Sequence, residues 1–206
     1  PPPEAGAAMP VRYRHAPLAR SPLSCERRAD GTLILRALDP AVETPAMGFS
    51  AYVEQWSRLL GDGVAFAQRV SAGSWRSISW AGFHAQMLAA AARLLALRGE
   101  RAGPLMILSG NSIEQAVLTL AAEYAGIPVA PISPNYAMQG PGFTKLRAVT
   151  HLLEPALVFA QSGATFALAL DAIASSCGSV VTVDDVQPGQ VPWQELGAGG
   201  VPRDEA

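Results

Sequence analysis

Two hydrophobic periods alternate along the second half of the chain. Short apolar runs stand at Pro104–Leu108, Ile127–Ser133, Ala156–Ala160 and Ser179–Asp185. Between them lie stretches with apolar residues three and four apart: Ser112–Ala125, Phe143–Leu153 and Ala164–Ala174. A run of about five apolar residues without alternation reads as a strand buried on both faces, and a 3–4 spacing reads as a helix. The pattern predicts strands at Leu105–Leu108, Pro128–Ile132, Leu157–Ala160 and Val180–Val183, with helices between them. Strands that alternate with helices of ten or so residues make a parallel sheet with right-handed crossovers, helices covering both faces.

Upstream the periods change. Phe49, Tyr52, Val53, Trp56, Leu59 and Leu60 share one face of a predicted helix, with Ser50 as a candidate N-cap and Gly61-Asp62-Gly63 as its end. Val64–Val70 and Ser74–Ser79 flank Ser71-Ala72-Gly73 and read as an antiparallel hairpin. Ala81–Arg98 is a long helix stopped by Gly99, and Pro155 stands just past the helix that ends at Leu153. Residues 1–48 read as an irregular, Pro- and Arg-rich arm with one short strand within Gly31–Leu38. The α/β domain is expected to span 49–190, and 191–206 to form a tail or truncated linker. The chain does not begin with Met and closes on the Gly-rich GAGGVPRDEA, which points to a piece of a longer protein.

Charge narrows the function classes. Lys+Arg number 15 against 17 Asp+Glu in 206 residues, so no basic surplus speaks for a nucleic-acid partner. The densest basic stretch, Arg12–Arg36, is broken by prolines and acids and reads as a solvated arm. The most apolar stretches carry Arg93 or Glu114 and Glu123, so neither reads as a membrane span. The opening PPPEAGAAMP lacks the charged and apolar regions of a signal peptide. Two cysteines far apart, Cys25 and Cys177, fit a reducing cytoplasm.

Chemistry is sparse. The turn Ser109-Gly110-Asn111-Ser112 joins a strand to a helix, the geometry of many phosphate cradles, but it holds one glycine and no lysine. Asn111 and Ser112 are the candidates for contact with a cofactor, and both read first as helix caps, with Glu114 favouring the positive helix end. Asp184 and Asp185 end a strand and could hold a ribose or Mg²⁺; a solvated turn is the plainer reading. His84 sits inside a helix. His151-x-x-Glu154 lacks the second histidine of a zinc motif. Trp75 and Trp80 read as core or edge packing on the hairpin. No catalytic residue and no metal ligand is assigned.

The order of segments resembles the N-terminal portion of AMP-forming acyl- and aryl-CoA synthetases, the adenylate-forming ligases. The stretches "MILSGNSIE", "AGIPVAPISPNY" and "KLRAVTHLLEPALVFA" are most similar to feruloyl-CoA synthetases, over roughly residues 30 to 190. Pro134-Asn135-Tyr136 departs from the Ala-Tyr pair usual there. The resemblance implies an ATP-dependent ligation of an aromatic carboxylic acid to CoA through an acyl-adenylate, with Mg²⁺. It also implies that the phosphate loop and the catalytic lysine lie downstream; Lys145, the only lysine, does not match the latter. The implied partners are the acid, ATP and CoA, with a homo-oligomer left open. The alternative is a free-standing, non-catalytic α/β domain that binds a ligand or partner. A nucleotide-binding oxidoreductase lacks its glycine fingerprint.

Overall fold

Each predicted strand of the sheet owes its place to side chains that alternate between two cores. In β5 (Leu105–Leu108), Leu105 and Ile107 join one buried cluster, while Met106 and Leu108 join the other. Strand β7 (Leu157–Ser162) divides in the same way, Leu157 and Phe159 against Val158 and Ala160. With β6 (Val129–Pro131), β8 (Ser179–Asp184) and β9 (Val191–Pro192) they form a five-stranded, all-parallel sheet in the order β6-β5-β7-β8-β9. In this computed structural model residues 22–38, 48–71, 73–138 and 141–197 are described.

The helices fall on the two faces. Helix α2 (Trp80–Arg98) and helix α3 (Ile113–Tyr124) cover the first core with Phe83, Met87, Leu94, Val117 and Leu118. Helix α5 (Thr144–Leu153) and helix α6 (Ala167–Ile173) cover the second with Leu146, Leu170 and Ile173. A short helix α4 (Pro134–Met138) adds Ala137 to the second core, and α7 (Gln194–Gly197) adds Leu196 to the first. The sheet and its two covered faces agree with expectation. The segment expected as a tail from residue 191 instead supplies β9 and α7, so the sheet runs past residue 190. The rest of that segment, 198–206, lies outside the described residues.

Helix α1 (Phe49–Leu60) follows Gly48, and Ser50 stands inside the helix rather than capping it. The carboxylate of Glu123, from α3, lies against Gly48, so an acid from elsewhere stands at this helix's positive end. Strands β3 (Val64–Ser71) and β4 (Ser74–Ser79) pair antiparallel as predicted. Their register sets Phe66 against Ile78, Gln68 against Arg76 and Arg69 against Trp75. Side chains two residues apart share a face, so Phe66 and Gln68 point one way and Arg69 the other. Phe66 packs on Phe83 of α2 at 5.0 Å between ring centroids, while the Arg69 guanidinium stacks over exposed Trp75 at 5.1 Å. Trp80 opens α2 and meets Trp56 of α1 edge-on at 4.8 Å.

At the amino edge of the sheet the backbones nearly touch. The Gly178 amide donates to the Pro155 carbonyl at 2.9 Å, and that of Ala156 to the Pro104 carbonyl at 3.1 Å. A Cβ on Gly178 would overlap the Ala156 carbonyl, and one on Gly103 would overlap the Glu154 carbonyl.

The chain divides into two units, 1–45 and 46–206. In the first, β1 (Leu23–Arg27) and β2 (Leu33–Ala37) form an antiparallel hairpin through a turn at Asp30-Gly31. The arm was expected to hold one strand here; β1 is its unforeseen partner. The remainder of the arm, including Pro40 and Pro45, lies outside the described residues.

Candidate functional site

Strand order locates the site. From β5 the chain leaves through α3 over the first face to β6, and from β7 it leaves through α6 over the second face to β8. The turns after β5 and β7 therefore part on opposite faces, opening a crevice at the carboxyl ends of these neighbouring strands, where doubly wound sheets take ligands. Ser109, Gly110, Asn111 and Ser112 form one lip; Gln161 and Ser162 begin the other. Beside the first lip a cleft of about 160 Å³ opens between Phe66–Gln68 of the hairpin and Asn111–Ile113.

The first lip spends part of its hydrogen-bonding capacity within the protein. The Ser112 hydroxyl accepts from the Gln115 amide at 3.0 Å, the geometry of an N-cap. The Ile113 amide donates to Gln68 Oε1 at 3.0 Å. Two of the amides that would face an anion are thus taken within the protein. Next to them Glu114 is buried, 3% of its side chain exposed, and paired with Arg76. Arg76 Nη2 donates to Glu114 Oε2 at 2.9 Å and to Gln68 Oε1 at 3.0 Å, and Nη1 donates to Glu114 Oε1. Burial pushes the Glu114 carboxyl up; the bonds and charge of Arg76, with the Ser112 hydroxyl and the backbone, outweigh it and hold the group below its ordinary value. The same bond to Glu114 raises the Arg76 guanidinium above its own, against burial. A phosphate brought here would meet a carboxylate whose neutralising cation is already engaged. Ser112 is the cap; Asn111 is exposed on the same lip.

The second lip is neutral to acidic. Gln161 Nε2 donates to Asp184 Oδ2 at 3.2 Å, Ser162 Oγ to Asp185 Oδ2 at 3.0 Å, and the Thr165 amide to Ser162 Oγ at 3.1 Å. Gln161 Oε1 is buried without a partner among the described residues. Both aspartates serve the strand-end turn. Among the described residues no three His, Cys, Asp or Glu side chains gather in one cluster, and Asp184 and Asp185 each accept from a neighbouring side chain. His84 is half-buried within α2 and His151 exposed at the end of α5, far apart in the chain; His15 lies outside the described residues. Burial pushes the Cys177 thiol above its ordinary value, opposed by the charge of Arg101, which disfavours a thiolate nucleophile.

A second hollow, of about 330 Å³, lies between α1, the β3–β4 hairpin, α2 and α3, walled by Tyr52, Trp56, Phe66, Trp80 and Phe83 among others. These residues read from sequence as ordinary apolar faces. Gln68 and Arg76 carried no sequence signal of their own. Glu114 did: it shares a helix face with buried Val117, Leu118 and Ala121, and a carboxylate there needs a cation.

Comparison with known proteins follows the same outline. A family model described as AMP-binding enzyme matches residues 53–203, well over half of the chain. No match was found among curated proteins. Among solved structures, the chain is similar to an acetoacetyl-CoA synthetase from Streptomyces lividans, with a TM-score of 0.63 and 17% identity over 75% of this chain and 25% of that one. A benzoate CoA ligase from Burkholderia xenovorans LB400 matches with a TM-score of 0.57 and 18% identity, over 78% and 30%. The A-PCP didomain of a carboxylic acid reductase from Segniliparus rugosus, in complex with AMP, matches with a TM-score of 0.54 and 16% identity, over 75% and 23%. The chain thus spans about a quarter of the length of these structures, and at such identities the likeness is one of fold.

Proposed function

Since the chain belongs to the AMP-binding enzyme family, we propose that it forms the first α/β subdomain of an ATP-dependent, AMP-forming acid–thiol ligase. In this reading a carboxylate attacks the α-phosphate of ATP, expelling pyrophosphate, and the CoA thiol then displaces AMP from the acyl-adenylate. The family match over residues 53–203 is the observation that carries the proposal. The finer part, an aromatic, feruloyl-like acid, is supported by the stretches "MILSGNSIE", "AGIPVAPISPNY" and "KLRAVTHLLEPALVFA". A cytoplasmic location belongs to the same reading; among the described residues no helix is long and apolar enough to cross a membrane.

Adenylation needs positive charge where the phosphate develops negative charge. The crevice described above offers hydroxyls, amides and two aspartates, and the Arg76 beside it is bound to Glu114. The role proposed for these 206 residues is therefore to shape one wall of the site, while the groups that act on phosphate come from outside them. No step is assigned to Mg²⁺.

The test measures pyrophosphate release and thioester formation with Mg-ATP, CoA and a panel of aryl and fatty acids. It compares the 206-residue chain with the product of the coding sequence read past Ala206. The longer product should make a hydroxycinnamoyl-CoA, and the short chain should neither turn over ferulate nor bind ATP appreciably. Turnover by the short chain would refute the division of labour. A longer product inactive on the whole panel would refute the ligase and favour a non-catalytic binding domain.

A further inference from the structure

We propose that Gln68 and Arg76 are positioning residues for the crevice: through them the β3–β4 hairpin holds the turn Ser109–Ser112 and the first residues of α3 in place. The proposal rests on the reading of that crevice as the site.

The register makes the pair. Gln68 and Arg76 stand directly opposite each other, so both side chains leave the same face of the hairpin. One oxygen, Gln68 Oε1, accepts from Arg76 Nη2 and from the Ile113 amide, each at 3.0 Å. Arg76 in turn holds both carboxylate oxygens of Glu114. The polar ties therefore end on Ile113 and Glu114, the two residues that follow the turn, and on no later part of α3. The apolar grip of the hairpin lies elsewhere, where Phe66 meets Phe83 of α2 and Trp80. Adhesion to the domain and placement of the turn are thus carried by different side chains, which makes them separable by substitution. Because Glu114 is buried, it cannot exchange Arg76 for water, and the turn has one preferred position.

Amide hydrogen exchange on the 206-residue chain, without nucleotide, tests this with Gln68→Leu, Gln68→Glu and Arg76→Met. Gln68→Leu and Arg76→Met should speed exchange at Asn111–Ile113 by about tenfold relative to Val158–Ala160 of β7, the effect of losing one charge-assisted hydrogen bond. Gln68→Glu keeps the acceptor and strengthens its attraction to Arg76, so it should return Ile113 close to the unsubstituted rate. Uniform acceleration of turn and sheet alike would overturn the proposal, as would a Gln68→Glu chain as fast as Gln68→Leu at Ile113. Should Arg76→Met fail to fold, the two Gln68 variants decide, since both leave the pair Arg76–Glu114 intact. Absence of ligase activity in any longer product would bear on the proposed function alone.

Discussion

Two antiparallel hairpins in this chain each carry an arginine–glutamate pair, and the pairs differ in where the carboxylate sits. On β1–β2, Arg36 Nη1 meets Glu26 Oε2 at 2.8 Å with both side chains more than half exposed. On β3–β4, Arg76 reaches off its own hairpin to Glu114, whose side chain is only 3% exposed. The first pair exchanges one well-solvated arrangement for another and is worth little. In the second, the carboxylate has surrendered its water, so the guanidinium is the condition on which that site tolerates a charge at all. Residue types alone do not distinguish the two; burial of one oxygen pair does.

Breaking the buried pair should give the largest effect. Arg76→Met should lower the stability of the 46–206 unit by about 2–3 kcal/mol, below the full cost of breaking a buried pair because solvent reaches the guanidinium. Urea unfolding of the substituted chain measures it, and a loss under about 0.5 kcal/mol would show that Glu114 is better hydrated than its burial implies. Acid offers a second approach to the same pair. The folded Glu114 carboxyl lies below its ordinary value of 4.5. Its contribution is therefore fully present above that pH and is lost as pH falls through the folded value. Urea midpoints taken downward from pH 5 should decline more steeply in the unsubstituted chain than in Glu114→Gln, which has no such proton to take up.

A smaller effect is expected next door. Ser112→Ala removes the hydroxyl that accepts from Gln115 and should cost about 0.5–2 kcal/mol. In a longer, active product it should leave KM for ATP nearly unchanged. A large rise in KM at unchanged stability would mean that the turn touches phosphate after all. The smallest effect belongs to the exposed pair: Arg36→Met should shift stability by no more than about 0.5 kcal/mol, and high salt should erase even that. A larger, salt-resistant loss would put Arg36 in a tighter environment than its exposure describes.

What was legible in the sequence follows from range. Strands β5, β7 and β8 could be read because burial on both faces turns a parallel strand into an unbroken apolar run, as in "LMIL" and "LVFA". The Ser112 cap could be read because its partner, Gln115, lies three residues away. Elements too short to show a period escaped: α4 with five residues, α7 with four, and β9 with two, one of them proline. Strand β1 escaped because "LSCER" has almost no buried side to pattern. The ties at the crevice escaped for another reason. Gln68 to Ile113 spans 45 residues and Arg76 to Glu114 spans 38, and no local spacing foretells which hairpin register will bring them together.

The two ends of the sheet have unequal freedom to change. At the amino edge, Gly103 and Gly178 lie so near the carbonyls of Glu154 and Ala156 that any side chain would have to move a strand. Drift at these positions is therefore coupled to the whole sheet, and most accepted replacements there would require a second change at once. At the carboxyl edge one glycine, Gly163, is held in the same way against the Asp185 carbonyl, but the turns after β5 and β7 also hydrogen-bond to side chains, those of Ser112, Ser162 and Gln68. Those side chains can be exchanged without moving a strand. Descendants of such a fold could thus inherit one rigid end unaltered while rewriting the other residue by residue, and a new specificity would be reached through single steps at the crevice rather than through redesign of the sheet.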